Sequence, residues 1–310
     1  MNLGEFLNNV GGRESTRPET VGHWHVLLDV TAFASVEDAE SGIRSIAAPG
    51  QSWINLYADM DGLELSAQGP RLVRMHDDRS AIDRFALTPE LARGVSFLEV
   101  PDQSSDLAAH LLSLREVSLP DGSIALFRYQ DPRVIAALMP LLDPLQTAAL
   151  LGPASRWLCT DPCDQRHGVA QSHAEKVWAT FRLNDKQLVA VDDVLLPYEV
   201  LAQTREADSS VLAGMDACKQ LTLARERISQ ARARGIAIPS DVSLFCVLSF
   251  QLPDGFADES PFKEAIAAAR IGNSTFSQGL DNADPRSWAK WNATLARQDG
   301  MSGGTAAMRD

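Results

Sequence analysis

A run of apolar residues leads straight into an Asp-Pro step in Leu126-Phe127-Arg128-Tyr129-Gln130-Asp131-Pro132-Arg133. Proline fixes φ near the helical value and lacks an N–H, so it suits the first position of a helix and is costly further in. An aspartate before it can accept from the orphan N–H groups of the first turn. The step therefore predicts a strand that stops before Asp131 and a helix that starts at Pro132. Asp143-Pro144 repeats the device, and Gly152 closes that second helix. Upstream, Pro120-Asp121-Gly122 marks a hairpin turn between Glu116 to Leu119 and Ser123 to Tyr129. Alternation places Ile124, Leu126 and Arg128 on one face, with Ala125, Phe127 and Tyr129 on the other. If that strand is mostly buried, Arg128 shares an apolar face and needs a carboxylate, either Asp131 or Asp29.

The rest of the pattern predicts an α+β protein, a mixed α/β lobe with a β-sheet followed by an all-helical lobe. A short helix, Leu3 to Val10, and a polar linker occupy residues 1–22. An α/β domain covers 23–158, with strands at His23 to Val30, Trp53 to Tyr57, Arg71 to Met75 and Val95 to Val100, and a helix over Asp106 to Arg115. Residues 159–183 are rich in turn formers and read as a bridging loop. Residues 184–297 are helical: Gln187 to Leu196 and Glu199 to Arg205 broken at Pro197, then Ser209 to Arg234, Val242 to Leu252, Phe262 to Ile271 and Arg286 to Arg297. Residues 298–310, rich in glycine, serine and alanine, read as a disordered tail.

The 310 residues carry 28 basic and 41 acidic side chains, a net charge of −13. Such a surface repels phosphate backbones and anionic lipid, which argues against nucleic acid and membranes as partners. No apolar run is long enough to cross a bilayer, and Met1 to Phe6 lacks the basic and apolar regions of a signal peptide. A cytoplasmic location is expected, and with it four free thiols at Cys159, Cys163, Cys218 and Cys246.

Candidate chemistry is sparse. Cys159, Cys163, His167 and His173 place two thiolates and two imidazoles within fifteen residues, the donor types of a tetrahedral zinc site. The cysteines are spaced by three residues where zinc knuckles use two, and no second knuckle follows, so a loop without metal is the expected reading. Asp59 with Asp61, and His76-Asp77-Asp78, bring carboxylates together at what read as turns and strand ends. His23 and His25 share a strand face, where a structural role is expected. Gly300-Met301-Ser302-Gly303-Gly304 matches a nucleophile elbow in letters only, because no strand feeds it. No phosphate-binding loop or dinucleotide fingerprint occurs, and no cofactor is expected.

Together, Val26-Leu27-Leu28-Asp29-Val30, Trp53 to Tyr57, Gly69-Pro70-Arg71-Leu72-Val73 and the block Phe127 to Val134 resemble the type VI secretion effector adaptor/chaperone family, also described as domain of unknown function 4123. The block continues to Leu138 and Leu150-Leu151-Gly152-Pro153. The family pattern is an aromatic–Arg–aromatic–x–Asp-Pro-Arg run, a leucine-rich helix and a terminal Gly-Pro; Gln130 stands where an aromatic is common. The resemblance covers roughly residues 24 to 158, and Ala231 to Ile236 looks like the family's C-terminal lobe. It implies a non-catalytic cytoplasmic protein that holds a toxic effector and helps load it onto the VgrG spike. Asp29, Arg128, Asp131, Pro132 and Arg133 then carry the family motif in a structural role. Two other classes compete: a metal-dependent hydrolase built on the Cys/His cluster, and an immunity-type inhibitor of the effector.

Overall fold

The computed structural model describes residues 22–33, 35–44, 47, 50, 52–60, 66–75, 94–101, 106–161, 163, 165–171 and 181–303. The chain divides into two compact units, Met1–Val194 and Leu195–Asp310. The first carries antiparallel sheets with helices and the second is helical, so the fold is α+β.

The main sheet of the first unit has the order β2-β3-β1-β4-β7-β8, with every neighbouring pair antiparallel. Its strands are β1 (Gly22–Leu28), β2 (Ile54–Asn55), β3 (Arg71–Arg74), β4 (Val95–Pro101), β7 (Arg156–Thr160) and β8 (Arg166–Ala170). Register aligns Val26 with Val73 and Phe97, and Phe97 with Leu158, so these side chains share one face. That face packs with Ala39 of α1 (Val36–Ile43) and with Met75. Leu27, Leu98 and Trp157 lie on the opposite face and are also fully buried. Burial on both faces explains why β1 is written as the unbroken apolar run Val26-Leu27-Leu28 instead of alternating.

A second, two-stranded sheet pairs β5 (Glu116–Ser118) with β6 (Ile124–Leu126), after α2 (Leu107–Ser113). Next come α3 (Pro132–Leu138) and α4 (Pro144–Leu151). Both begin as their Asp-Pro steps predict: Asp131 accepts from the Arg133 N–H, and Asp143 forms a reciprocal capping box with Gln146. Gly152 ends α4 at φ 54°, ψ −116°, where the ring of His110 leaves no room for a Cβ.

Four expectations are corrected. Residues 159–183 contain the end of β7 and all of β8, because Trp157, Leu158 and Cys159 supply a buried strand that their polar neighbours mask. Pro197 lies inside one continuous helix, α5 (Asp185–Ala207), since it forfeits a single N–H while the turns on either side keep theirs. The segment Ser209 to Arg234 is split into a 3-10 turn, Ser209–Leu212, and α6 (Ala217–Ala233), whose N-cap is Asp216. The last helix, α10 (Pro285–Gly303), runs through the first residues assigned to a disordered tail. The segments 1–21, 61–65, 76–80 and 304–310, with the predicted first helix among them, lie outside the described residues.

The second unit also contains α7 (Pro239–Gln251), α8 (Phe262–Arg270) and α9 (Phe276–Asp281). Its core is aromatic: Phe256 and Phe262 meet edge to face at 5.1 Å, and Phe262 meets Trp291 likewise at 5.2 Å. Asp241 does not cap its own helix. Buried on α7, it accepts the Phe276 N–H at 2.6 Å and the Ser277 N–H at 3.2 Å, capping α9, a helix the sequence pattern did not reveal.

Candidate functional site: the strand-to-helix corner

Where β6 ends, the backbone turns through Arg128 to Gln130 and enters α3. The alternation inferred for this strand holds, but its burial is the reverse of that expected. Ile124 and Leu126 are 67% and 45% exposed, whereas Phe127 and Tyr129 are buried. Phe127 stacks on Phe181 at 5.1 Å and meets Tyr129 edge-on at 6.1 Å, so the aromatic face turns inward and Arg128 turns out.

The exposed guanidinium reaches back over two buried carboxylates. Arg128 Nη2 lies 3.4 Å from Asp29 Oδ2 and 3.5 Å from Asp131 Oδ2, and donates to Thr31 Oγ1 at 3.0 Å. Both candidate partners are therefore engaged. Asp29, at the end of β1, also accepts from the Thr31 N–H at 3.1 Å and from its hydroxyl at 2.7 Å, capping the 3-10 turn Val30–Ala32. A threonine two residues after the aspartate was the available signal for that turn. Asp131 is held more tightly. Its Oδ1 accepts from the Arg133 N–H at 3.0 Å and Nε at 2.8 Å, and its Oδ2 from Arg133 Nη2 at 2.6 Å, a side-on bidentate pair. The motif thus ties the end of β1 to the start of α3. Burial pushes the Asp29 carboxyl above its ordinary value; the Thr31 hydroxyl pulls it down, the Asp131 charge pushes it up and Arg128 pulls it down.

Gln130 is buried, with Tyr57 Oη 3.4 Å from its Oε1, and burial raises the Tyr57 phenol. Tyr57 follows β2, where Asn55 accepts the Tyr57 N–H at 3.0 Å and donates to Ser66 O at 2.8 Å. A Cβ on Gly69 would fall 2.5 Å from Asn55 Oδ1, which explains the glycine of Gly69-Pro70-Arg71. Arg71 then binds the Gly69 and Ala67 carbonyls and pairs with Glu40 at 3.2 Å.

The cysteine–histidine residues fall elsewhere. Cys159 and His167 face each other across the β7–β8 hairpin. The Cys159 thiol is buried, pointed at Pro132 O at 3.7 Å and pushed far up by desolvation, while His167 turns to Asp161 at 3.5 Å. Cys163 is disulfide-bonded and its N–H is taken by Asp161 at 2.8 Å. Among the described residues Cys159 and Cys246 are free while Cys163 and Cys218 are disulfide-bonded, which corrects the expectation of four thiols. His173 lies outside the described residues, and among those described no group of three or more His, Cys, Asp or Glu is placed to hold a metal.

Of the paired carboxylates, Asp59 takes Arg115 Nη1 at 2.6 Å on the surface, while Asp61 and His76 to Asp78 lie outside the described residues. His25 is half-buried beside Arg74, and burial lowers its pKa to about 4. Gly300 to Gly303 are helical, so no elbow forms there. Among the described residues no helix is long and apolar enough to cross a membrane.

Residues 24–149 match the family model described as domain of unknown function (DUF4123). The match contains every residue of the corner, from Asp29 to Arg133. No curated protein and no solved structure matches the chain.

Proposed function

We propose that this chain is a non-catalytic cytoplasmic adaptor that binds a type VI secretion effector and helps load it onto the VgrG spike. The observation that carries this reading is the family match over residues 24–149, with the Asp29–Arg128–Asp131–Arg133 corner inside it. Within the reading, the corner is structural. Its carboxylates are buried and saturated by arginines and backbone N–H groups, an arrangement that holds two segments in place and presents no free base. Cargo contact falls to other surfaces, which a loading factor must both grip and release through partly polar interfaces.

Co-expression with a toxin encoded beside the gene tests the reading. A stable complex in which the chain holds the toxin's targeting segment supports an adaptor. Binding confined to the toxic domain, with neutralisation of its activity, makes the chain an inhibitor instead. Failure to co-purify with any neighbouring toxin refutes both.

A further inference from the structure

The two-stranded sheet of the first unit has one edge covered and one open. On the covered side, Ser118 of β5 forms a parallel bridge with Arg182, and its carbonyl accepts the Leu183 N–H at 3.3 Å. A segment from elsewhere in the chain is thus already added to this sheet through its backbone. On the other side, among the described residues, β6 has no neighbour.

The ladder with β5 decides which groups of β6 face that open side. The Phe127 N–H donates to Arg115 O at 2.7 Å, and Ser123 O accepts the Leu119 N–H at 2.9 Å. Residues 123, 125 and 127 therefore turn their backbone groups toward β5. Ile124 and Leu126, one place out of step, turn theirs outward. They offer two N–H and two C=O groups, repeating about every 7 Å, with no partner among the described residues. The side chains of the same two residues are exposed, while Val117 and Phe127 on the other face are buried. Edge strands are ordinarily guarded by a charge, a proline or a covering segment. Among the described residues Ile124-Ala125-Leu126 has none of these.

We infer that the open edge of β6 takes an extended segment of a partner protein as an added strand, with uncharged apolar side chains at alternate positions lying beside Ile124 and Leu126. The backbone chooses this occupant: donors and acceptors at this spacing are matched by another extended chain, whereas a helix has already spent its own. Glu116 opposite Leu126 and Arg128 beyond it present one charge of each sign, so the edge selects neither acidic nor basic side chains. A second copy of this chain fits poorly, because β6 offers it two residues where a stable interface uses about 20–30 a side. The inference stands on the edge alone and does not depend on the proposed function.

The test uses the full chain, the uncharged peptide acetyl-Ser-Val-Thr-Val-Thr-Val-Ser amide and NMR of the backbone amides. The Ile124 and Leu126 N–H signals should move downfield and saturate, with a Kd on the order of 1 mM. The same peptide methylated on its three valine nitrogens keeps every apolar side chain but loses the donors that face β6. It should bind at least about tenfold more weakly. Leu126→Pro removes one outward N–H and leaves the ladder to β5, so circular dichroism should stay unchanged while binding falls at least about tenfold. Should that variant fail to fold, the methylated peptide still decides the matter on the native chain. Ile124→Thr should weaken binding about fivefold; Ile271→Thr, the equal loss of an exposed isoleucine in the second unit, should leave it within about twofold. Unmoved Ile124 and Leu126 signals at about 5 mM peptide would overturn the inference, as would equal binding of the methylated peptide or equal losses in the two isoleucine variants. A dimer of the wild-type chain that Leu126→Pro makes monomeric would overturn it too, by making the edge a contact between copies.

Discussion

Replacing Asp131 by alanine removes the N-cap of α3 and the anchor of two guanidiniums in one step. The lost cap costs about 1 kcal/mol. Breaking a fully buried ion pair costs about 3–5 kcal/mol, but here the side chains of Arg133 and Arg128 are 36% and 46% exposed and regain water. Screening reduces that part to about 1–2 kcal/mol. Loss of the repulsion between Asp131 and Asp29 offsets a little of it. The expected net loss is about 2–3 kcal/mol in the first unit. Asp131→Asn keeps a good capping residue and should lose only the ionic part. Urea unfolding at neutral pH, followed by far-ultraviolet circular dichroism, measures both. A loss under about 0.5 kcal/mol for the alanine variant would refute the latch. Unchanged stability with lost partner binding would convert the corner into a contact surface.

Other residues of the fold carry consequences of their own. Gly152→Ala places a methyl 2.3 Å from the His110 ring at φ 54°, and should cost about 3 kcal/mol or leave the protein insoluble; wild-type melting would contradict that geometry. His25 has a folded pKa near 4, below its ordinary 6.5, so it favours folding above pH 6.5 and loses that contribution as pH falls toward 4. His25→Gln should flatten that part of the stability–pH curve by up to about 3 kcal/mol, the free-energy equivalent of the shift. Asp29 has the opposite sign. Its raised pKa favours the fold at low pH and loses that contribution as pH rises above the ordinary value of 3.8, so Asp29→Asn should gain on wild type over that rise. Alkylation of the denatured, unreduced chain should label Cys159 and Cys246 alone, and reduction should expose the other two; four labelled thiols without reductant would refute the bonding at Cys163.

Local chemistry in this chain was legible where one residue type has one good position. Asp131-Pro132 and Asp143-Pro144 could only start helices, and Asp29 or Asp131 were the acids within reach of Arg128. Period-two alternation gave the faces of β6 but not which one is buried. That depends on Phe181, distant in sequence, stacking on Phe127. The β7–β8 hairpin was missed because Arg156 to Ala170 mixes polar and turn-forming residues around a three-residue apolar core.

The most direct measurement of the central claim is secretion of the neighbouring toxin from cells in which this gene is deleted. The account predicts that the toxin stays in the cell while the spike protein is still exported, and that restoring the gene restores delivery. Undiminished toxin secretion from the deletion strain would contradict it.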